Sequence, residues 1–329
     1  MQTNEKDNIE AKEGQFLDKT LRPQTWEEYI GQESIKNNLH ILLTAARERE
    51  HSPEHLLFYG PPGLGKTTLA HLIAHELGAQ MKVTSGPAIE KVGDLASILT
   101  NLAPGDILFI DEIHRLNKAV EELLYPAMES GSLDIIIGKG PSARSIQLDL
   151  PPFTLIGATT RISLLSSPLR SRFSGGVYRM VFYSEKEIGD IIARSSGVLG
   201  ISIHDDAVAE IARRSRFTPR TANHFLKRCR DYAQVNKKES VDLETVRASL
   251  DMLGIDTVGL SDADRDLLWT IVEKFKGGPV GLNTLAVSLS EDEGTLEEFN
   301  EPYLIQIGFL ERTPRGRKIT DEARKHLEL

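Results

Sequence analysis

The pattern of hydrophobic and polar residues changes twice along the chain. Between residues 33 and 183, short aliphatic runs such as HLLFYG, ILFIDE and FTLIGATT alternate with helical patterns, an order typical of a parallel sheet covered by helices. Residues 184–254 have helical periodicity only, which predicts a small all-helical domain. The remaining residues, 255–329, contain three helical patterns followed by two short strand candidates, the order of a winged helix. We therefore predict an α/β domain over residues 1–183, followed by these two smaller domains.

Two segments depart from this pattern. Residues 1–15 are polar and have no apolar periodicity, so they are expected to be disordered. Residues 133–150, LDIIIGKGPSARSIQLDL, alternate aliphatic and polar positions around a Gly-Pro turn, which predicts a β-hairpin inserted in the α/β domain. Its aliphatic residues could form an exposed partner-binding face or pack inward on the protein's own sheet. They are Ile135, Ile137, Ile146 and Leu148.

Composition and charge restrict the class of protein. The formal net charge is −9, so any contact with nucleic acid must come from local basic clusters. The single cysteine, Cys229, excludes an intrachain disulfide framework and fits a reducing compartment. No apolar run approaches the roughly 18 residues of a membrane span, and the polar start does not resemble a signal peptide. We therefore expect a cytoplasmic protein with no membrane partner.

A phosphate-binding loop is the strongest motif in the sequence. GPPGLGKT, residues 60–67, matches G-x-x-x-x-G-K-[ST] directly after an apolar strand and before a helical pattern. Glycines allow backbone N–H groups to surround phosphates, and the helix N-terminus adds partial positive charge. Lys66 is expected to reach the β- and γ-phosphates and the Thr67 hydroxyl to bind Mg²⁺. The predicted nucleotide contacts in this motif are Gly60, Gly63, Gly65, Lys66, Thr67 and Thr68.

Polar residues end the next two strands, where parallel sheets place functional side chains. Asp111 is expected to hold Mg²⁺, and Glu112 to activate the attacking water as a general base. An acidic pair after a strand is otherwise an ordinary helix cap, but the preceding phosphate-binding loop favours the catalytic interpretation. Thr159 and Thr160 end the strand FTLIGATT. Either hydroxyl could orient water near the γ-phosphate or simply form a turn, and we favour Thr160.

Two arginines follow in SPLRSRF, residues 167–173. Arg170 and Arg172 could stabilise the phosphoryl-transfer transition state of a neighbouring subunit, although an isolated arginine pair is more often solvated. With these residues the chain resembles the AAA+ ATPases. The resemblance implies ATP as the nucleotide and a ring in which each site is completed by a neighbouring subunit. It also implies that Arg220, in FTPRTANHF, is a second nucleotide-sensing arginine.

Further segments narrow the resemblance to the RuvB family of bacterial branch-migration motors. They include LRPQTWEEYIGQ, FIDEIHRLNKAVEELLYPAME, GGPVGLNTLA and EPYLIQIGFLERTPRGR, and together they extend from about residue 21 to residue 317. The resemblance implies a homohexameric ATP hydrolase that moves double-stranded DNA at Holliday junctions during recombination and repair. It implies RuvA as partner at the hairpin, and RuvC at the resolution step. It also implies that Leu21, Arg22 and Tyr183 contact the adenine, and that Arg172 and Arg220 contact the nucleotide.

A basic segment near the C-terminus explains how an acidic protein could hold DNA. RTPRGRK, residues 312–318, has three arginines and a lysine with no acidic residue between them. Such a narrow hairpin suits phosphate contacts that are independent of base sequence, although it could also be a solubilising surface. The resemblance implies that Arg312 and Arg317 contact DNA, and we add Arg315 because it lies between them.

Other functions fit parts of the sequence. Clamp loading or replication initiation would use ATP as a switch rather than as fuel for repeated steps. A nucleotide-gated DNA-binding regulator would require neither Glu112 nor the arginines of residues 167–173. A protein-unfolding motor would require an aromatic pore loop, which we do not find in the sequence. The DNA motor is the interpretation that uses all of these features.

Overall fold

The computed structural model describes residues 20–137 and 144–328. The segment predicted to be disordered, residues 1–15, lies outside the described residues, as does the turn of the predicted hairpin. The chain divides into two compact units. We call Arg22–Gly60 together with Gly65–Val181 the sheet unit, and Pro61–Leu64 together with residues 20–21 and 182–328 the helical unit. The boundaries of the three domains at residues 183 and 254 stay predictions.

The sheet unit is built on parallel strands. Its strands are β1 (Leu56–Tyr59), β2 (Met81–Ser85), β3 (Ile107–Asp111), β4 (Ser132–Ile137), β5 (Arg144–Asp149), β6 (Thr154–Thr159) and β7 (Gly176–Arg179). Five of them form a parallel sheet in the order β2-β3-β6-β1-β7. The helices of this unit are α1 (Glu33–Glu48), α2 (Lys66–Glu76), α3 (Val92–Thr100), α4 (Lys118–Glu129) and α5 (Ser167–Ser171). The α/β class predicted from the sequence is therefore confirmed.

The register of the central strands brings the predicted site residues to one edge of the sheet. Every residue of β6 is buried, as expected for a parallel strand covered on both faces. Tyr59 at the end of β1 pairs with Thr159 at the end of β6, and Ile110 of β3 pairs with Gly157. Because all three strands run in the same direction, the segments that follow them start at the same edge of the sheet.

The predicted hairpin is formed by β4 and β5, which pair antiparallel. Ile135 pairs with Ile146, and Leu133 pairs with Leu148, so the side chains of Leu133 and Leu148 share a face of the hairpin. Leu133 is fully buried in the core at the base, whereas Ile146 is 44% exposed and Leu148 is 37% exposed. The side chains of Ile135 and Ile137 lie outside the described residues. Leu133, which is not one of the four predicted residues, packs inward, whereas the predicted residues Ile146 and Leu148 are partly exposed to solvent.

The helical unit consists mainly of consecutive helices, with a two-stranded hairpin near its C-terminal end. Its helices are α6 (Glu185–Leu199), α7 (Asp205–Arg214), α8 (Pro219–Val235), α9 (Leu243–Met252), α10 (Asp262–Phe275), α11 (Leu282–Leu289), α12 (Glu293–Thr295), α13 (Glu301–Gln306) and α14 (Asp321–His326). The hairpin consists of β8 (Leu310–Thr313) and β9 (Gly316–Ile319), which pair antiparallel. We call this hairpin the wing. The predicted helical lid and winged helix are confirmed.

Local capping residues explain where several of these helices begin. Ser184 and Glu187 form a reciprocal capping box at the start of α6, as Ser261 and Asp264 do at the start of α10. Thr218 caps α8, with Pro219 in the first turn. Within residues 20–137 and 144–328, no helix combines the length and apolar character needed to cross a membrane.

Candidate functional site

The loop between β1 and α2 adopts a conformation that requires glycine. Gly60, Gly63 and Gly65 have φ angles of 148°, 83° and 96°, which side chains with a Cβ rarely adopt. A Cβ on Gly60 would also lie 2.6 Å from the carbonyl oxygen of Met180. The loop leads directly into α2, whose first residue is Lys66. Backbone N–H groups at such a helix start attract anions.

Lys66, Thr67 and Thr68 form the first turn of α2. Lys66 is 7% exposed, and its Nζ donates to the carbonyl oxygen of Gly60 at 2.8 Å. The ammonium group is therefore held against the loop that the sequence predicts to surround phosphates. The two threonines are half-buried and present their hydroxyl groups from the same turn.

Glu112 and Thr160, predicted separately as base and sensor, are in contact. Asp111 ends β3, and Glu112 follows in the left-handed region with φ of 46°. The Glu112 Oε2 atom accepts a hydrogen bond from the Thr160 hydroxyl at 3.2 Å and from its backbone N–H at 3.4 Å. Asp111 Oδ1 accepts from the Glu112 N–H at 3.0 Å. The structure thus brings a carboxylate and a hydroxyl group together just beyond β3 and β6.

His114 is a further member of this cluster that sequence analysis missed. Its Nδ1 lies 2.8 Å from Thr159 Oγ1 and 3.2 Å from Glu112 Oε2. Thr159 is fully buried, and its Oγ1 also accepts from the Arg161 N–H at 3.0 Å. Thr159 therefore holds the turn and the imidazole, whereas Thr160 faces Glu112. The position of His114 two residues after the acidic pair was the only local signal.

The two arginines of α5 and its C-terminal end differ in environment. The Arg170 side chain is exposed. Arg172 is only 19% exposed, and its Nη2 lies 3.0 Å from Glu129 Oε1. Its Nη1 donates to the Pro168 carbonyl at 2.6 Å, and its guanidinium carbon lies 4.3 Å from the centroid of the Tyr125 ring. Arg172 is therefore bound within its own chain by an ion pair and a cation–π contact.

In the helical unit, the start of α8 contacts the segment Pro61–Leu64. The backbone N–H of Arg220 donates to the Gly63 carbonyl at 3.4 Å, and a Cβ on Gly63 would lie 3.2 Å from the Arg220 Cβ. The Tyr183 hydroxyl, on a side chain that is 4% exposed, donates to the Leu64 carbonyl at 3.1 Å. The predicted sensor and one predicted adenine contact therefore both adjoin part of the phosphate-binding loop.

The other two predicted adenine contacts lie where the two units divide in sequence. Leu21 belongs to the helical unit, is 3% exposed, and its carbonyl accepts from Arg194 Nη1 at 2.9 Å. Arg22 is the first residue of the sheet unit and is half-buried. Its carbonyl accepts from the Gln24 side-chain amide at 3.0 Å.

The wing arginines are paired with a carboxylate that the sequence does not place near them. Arg312 and Arg317 lie directly opposite each other on β8 and β9. The Nε of each donates to Glu301 at 2.7 Å, Arg312 to Oε2 and Arg317 to Oε1. Glu301, the first residue of α13, is only 1% exposed. Arg315 lies in the turn and is exposed.

The parallel sheet, the glycine loop with its buried lysine, the acidic strand end and the helical lid define a P-loop ATPase of the AAA+ class. Three family models match successive parts of the chain: the P-loop domain of the Holliday junction DNA helicase RuvB over residues 21–180, the RuvB AAA lid domain over 183–256, and the RuvB C-terminal winged-helix domain over 257–328. This chain belongs to the RuvB family.

Individual relatives agree with this assignment. The RuvB subunit of the Holliday junction branch migration complex from Fusobacterium nucleatum is 56% identical over 312 residues, covering 95% of this chain and 94% of the relative. The RuvB subunit from Chloroflexus aggregans is 56% identical over 315 residues, covering 96% of this chain and 90% of the relative. The solved Thermotoga maritima RuvB branch migration motor is 51% identical, with a TM-score of 0.86, covering 94% of this chain and 98% of that one. The resemblance and the predicted function, an ATP-hydrolysing branch-migration motor, are confirmed.

Proposed function

We propose that this chain acts as a homohexameric ring that draws double-stranded DNA through a Holliday junction together with RuvA, with RuvC acting at resolution in the cytoplasm. The relatives named above are subunits of a branch migration complex, which supports a protein partner. The observation that carries the proposal is the combination, in one chain, of the Glu112–Thr160 pair beside a phosphate-binding loop and an arginine-bearing wing. A motor needs both a hydrolytic site and a DNA contact.

Magnesium fits the oxygen ligands of the sheet unit. Thr67 offers a hydroxyl group from the first turn of α2, and Asp111 a carboxylate from the end of β3. Both are the hard oxygen donors that Mg²⁺ prefers, and β1 and β3 both neighbour β6 in the sheet. When bound, the ion neutralises charge on the phosphate oxygens. Thr67 and Asp111 are therefore the proposed ligands.

The proposed hydrolytic roles follow from the contacts of each side chain. Lys66 leaves the Gly60 carbonyl and binds the β- and γ-phosphates. The Glu112 carboxylate takes the proton of the attacking water, while the Thr160 hydroxyl, bound to the same Oε2 atom, fixes the direction of that oxygen. The His114 ring lies against the same Oε2 atom. In this proposal the water proton passes to the Glu112 carboxylate.

Three arginines are proposed either to sense the bound nucleotide or to complete the ATP site of a neighbouring subunit. Arg170 is exposed and available at the subunit surface. For Arg172 to stabilise a neighbouring subunit's phosphate, it must exchange its ion pair with Glu129 for the phosphate. Arg220 is proposed as the nucleotide sensor because its backbone is bonded to Gly63, so a shift of the loop is passed to α8. Leu21, Arg22 and Tyr183 are the proposed adenine contacts.

The hairpin is the proposed docking surface for RuvA, and Arg312, Arg315 and Arg317 are the proposed DNA contacts. Ile146 and Leu148 are 44% and 37% exposed on a separate two-stranded sheet. Exposed aliphatic side chains grouped on one element mark interaction sites. A wing that contacts phosphates suits a motor that moves along any base sequence.

Junction dissociation with purified components tests this proposal. We expect ATP-dependent, RuvA-dependent dissociation of a synthetic four-way junction, and we expect Ile146→Asp to reduce it at least tenfold while DNA-stimulated ATP hydrolysis is retained, because a buried charge in an apolar contact costs more than about 1.4 kcal/mol. Gln147→Glu, the adjacent exposed position on the opposite hairpin face, adds the same charge and should have no such effect. Normal RuvA-dependent activity of Ile146→Asp would refute the docking role, and a wild type that moves no junction would refute the motor.

A further inference from the structure

We infer that Glu301 is a positioning residue of the wing, which holds Arg312 and Arg317 as one rigid phosphate-binding pair. The inference rests on the proposed DNA contact of the wing and adds to it a residue from outside the hairpin. Glu301 belongs to α13, 11 and 16 residues from the two arginines in sequence. Glu301 begins the segment EPYLIQIGFLERTPRGR that carries the resemblance, but neither the basic segment nor the resemblance implied a role for it.

The geometry is that of a single carboxylate bridging two strands. Arg312 approaches Glu301 Oε2 with Nε at 2.7 Å and Nη2 at 2.6 Å. Arg317 approaches Oε1 with Nε at 2.7 Å, and its Nη2 reaches Oε2 at 3.3 Å. Since the two arginines are directly opposite in the wing register, one side chain fixes both guanidinium groups. Glu297 Oε1 lies farther off, 3.5 Å from Arg312 Nη2 and 4.0 Å from Arg317 Nη2, so the closer Glu301 carboxylate sets the separation and orientation of the two groups.

Burial makes this arrangement durable. Glu301 is 1% exposed, and a buried ionised carboxylate is very costly unless charged donors compensate it. The pairs therefore cannot open without leaving a charge unpaired in the protein interior. Arg312 still has 45% of its side chain exposed, whereas Arg317 has 15%. Each guanidinium group has five N–H donors, so the Nη1 groups can bind phosphate while Nε and Nη2 stay on Glu301.

A positioning role and simple charge neutralisation predict opposite changes in DNA affinity when the Glu301 carboxylate is removed. If Glu301 only cancelled positive charge, its removal would strengthen DNA binding, because the wing would gain one unit of net positive charge. If Glu301 positions the arginines, its removal frees two long side chains, and ordering them again on DNA costs conformational entropy. The two interpretations therefore predict opposite changes in affinity for the same substitution.

The chain offers a matched control for this test. Glu311 lies on β8 beside Arg312 and is exposed. Glu311→Gln changes the net charge of the wing by the same amount as Glu301→Gln but removes no carboxylate from the arginine pair. Glu301→Asp keeps the charge of the wild type and shortens the side chain by one methylene, so that a change in affinity reports geometry alone.

The experiment measures binding of the full-length chain to a fluorescent duplex by anisotropy over a range of salt concentrations. We expect Glu301→Gln to weaken affinity about tenfold, from the ordering of two side chains, and to lower the salt dependence by about one phosphate contact. Glu301→Asp should weaken it about threefold by the same argument. Glu311→Gln should bind as tightly as the wild type or more tightly. Thermal melting identifies any variant that fails to fold, in which case Glu301→Asp decides.

Two results would overturn the inference in distinguishable ways. Wild-type or tighter binding by Glu301→Gln and wild-type binding by Glu301→Asp would show that the carboxylate does not position the arginines. Wild-type binding and DNA-stimulated ATP hydrolysis by the double variant Arg312→Ala, Arg317→Ala would instead remove the proposed DNA contact itself.

Discussion

Removing one partner of the ion pair between Arg216 and Asp264 should destabilise the helical unit strongly. Arg216 Nη1 lies 3.0 Å from Asp264 Oδ2, and Nη2 lies 3.4 Å from Oδ1. The guanidinium carbon also lies 5.0 Å and 4.8 Å from the ring centroids of Phe299 and Tyr303. Asp264 is fully buried. Replacing Arg216 by Met retains most of the apolar volume but leaves the Asp264 carboxylate without its cation.

The size of the loss follows from the remaining contacts of Asp264. Breaking a buried pair by removing one partner costs about 3–5 kcal/mol. Asp264 would still accept hydrogen bonds from Ser261 Oγ at 2.7 Å and from the Asn300 amide at 2.7 Å, so we expect the lower end, about 3 kcal/mol. Replacing both partners, Arg216→Met with Asp264→Asn, removes the unpaired charge. The double variant should therefore recover to within about 1 kcal/mol of the wild type.

Urea unfolding followed by tryptophan fluorescence can measure this cycle. The chain has two tryptophans, and Trp269 lies on α10, the helix that carries Asp264. In a Trp26→Phe background the emission reports the unfolding of that helix. A free energy of unfolding reduced by less than about 1 kcal/mol in Arg216→Met, with no recovery in the double variant, would refute the reasoning.

Two further predictions concern the sheet unit. Mixing Arg172→Ala with Glu112→Gln subunits should regain up to about a quarter of the wild-type ATPase rate, because some interfaces then pair an intact Glu112 with an intact Arg172; no regained activity at any ratio would refute the in-trans role. Burial lowers the pKa of His55 below its ordinary 6.5, while its Nδ1 accepts from the Leu155 N–H at 2.9 Å and its Nε2 lies 3.1 Å from the Met128 carbonyl. Because folding favours the neutral ring, its contribution to stability should be complete above about pH 6.5 and decline as the pH falls below it. The melting temperature should fall less between pH 8 and pH 5.5 for His55→Gln than for the wild type. An equal fall in the two proteins would contradict the argument.

Within the parallel sheet, the strands predicted from sequence are the central ones, and the reason is their burial. The runs HLLFYG, ILFIDE and FTLIGATT contain β1, β3 and β6, which occupy the middle of the sheet. A parallel strand covered on both faces must be apolar at nearly every position, so it is visible as a continuous run. The edge strands β2 and β7 have no fully buried residue. Their mixed sequences, MKVTS and GVYR, carry no comparable signal.

The site residues also differ in whether the sequence predicts them. The glycine loop and the pair Asp111 and Glu112 can be predicted from sequence, because the residues of each motif are adjacent in the chain. The partners His114, Glu129 and Glu301 were not predicted. Each meets its partner across a turn or between separate elements, at a distance fixed only after folding. Residue type alone does not distinguish such a carboxylate from the many solvated ones.

Exposure of the acidic partner determines how each arginine can serve a ligand. Glu129 has 60% of its side chain exposed, so it returns to water at little cost when Arg172 leaves it, and exchange for a neighbouring phosphate is feasible. Glu301 is 1% exposed, so losing Arg312 and Arg317 would leave a buried charge without compensation. In the proposed DNA contact, the wing arginines would therefore bind phosphate while still paired with Glu301. The proposed roles therefore require exchange of the acidic partner at Arg172 and retention of it at Arg312 and Arg317.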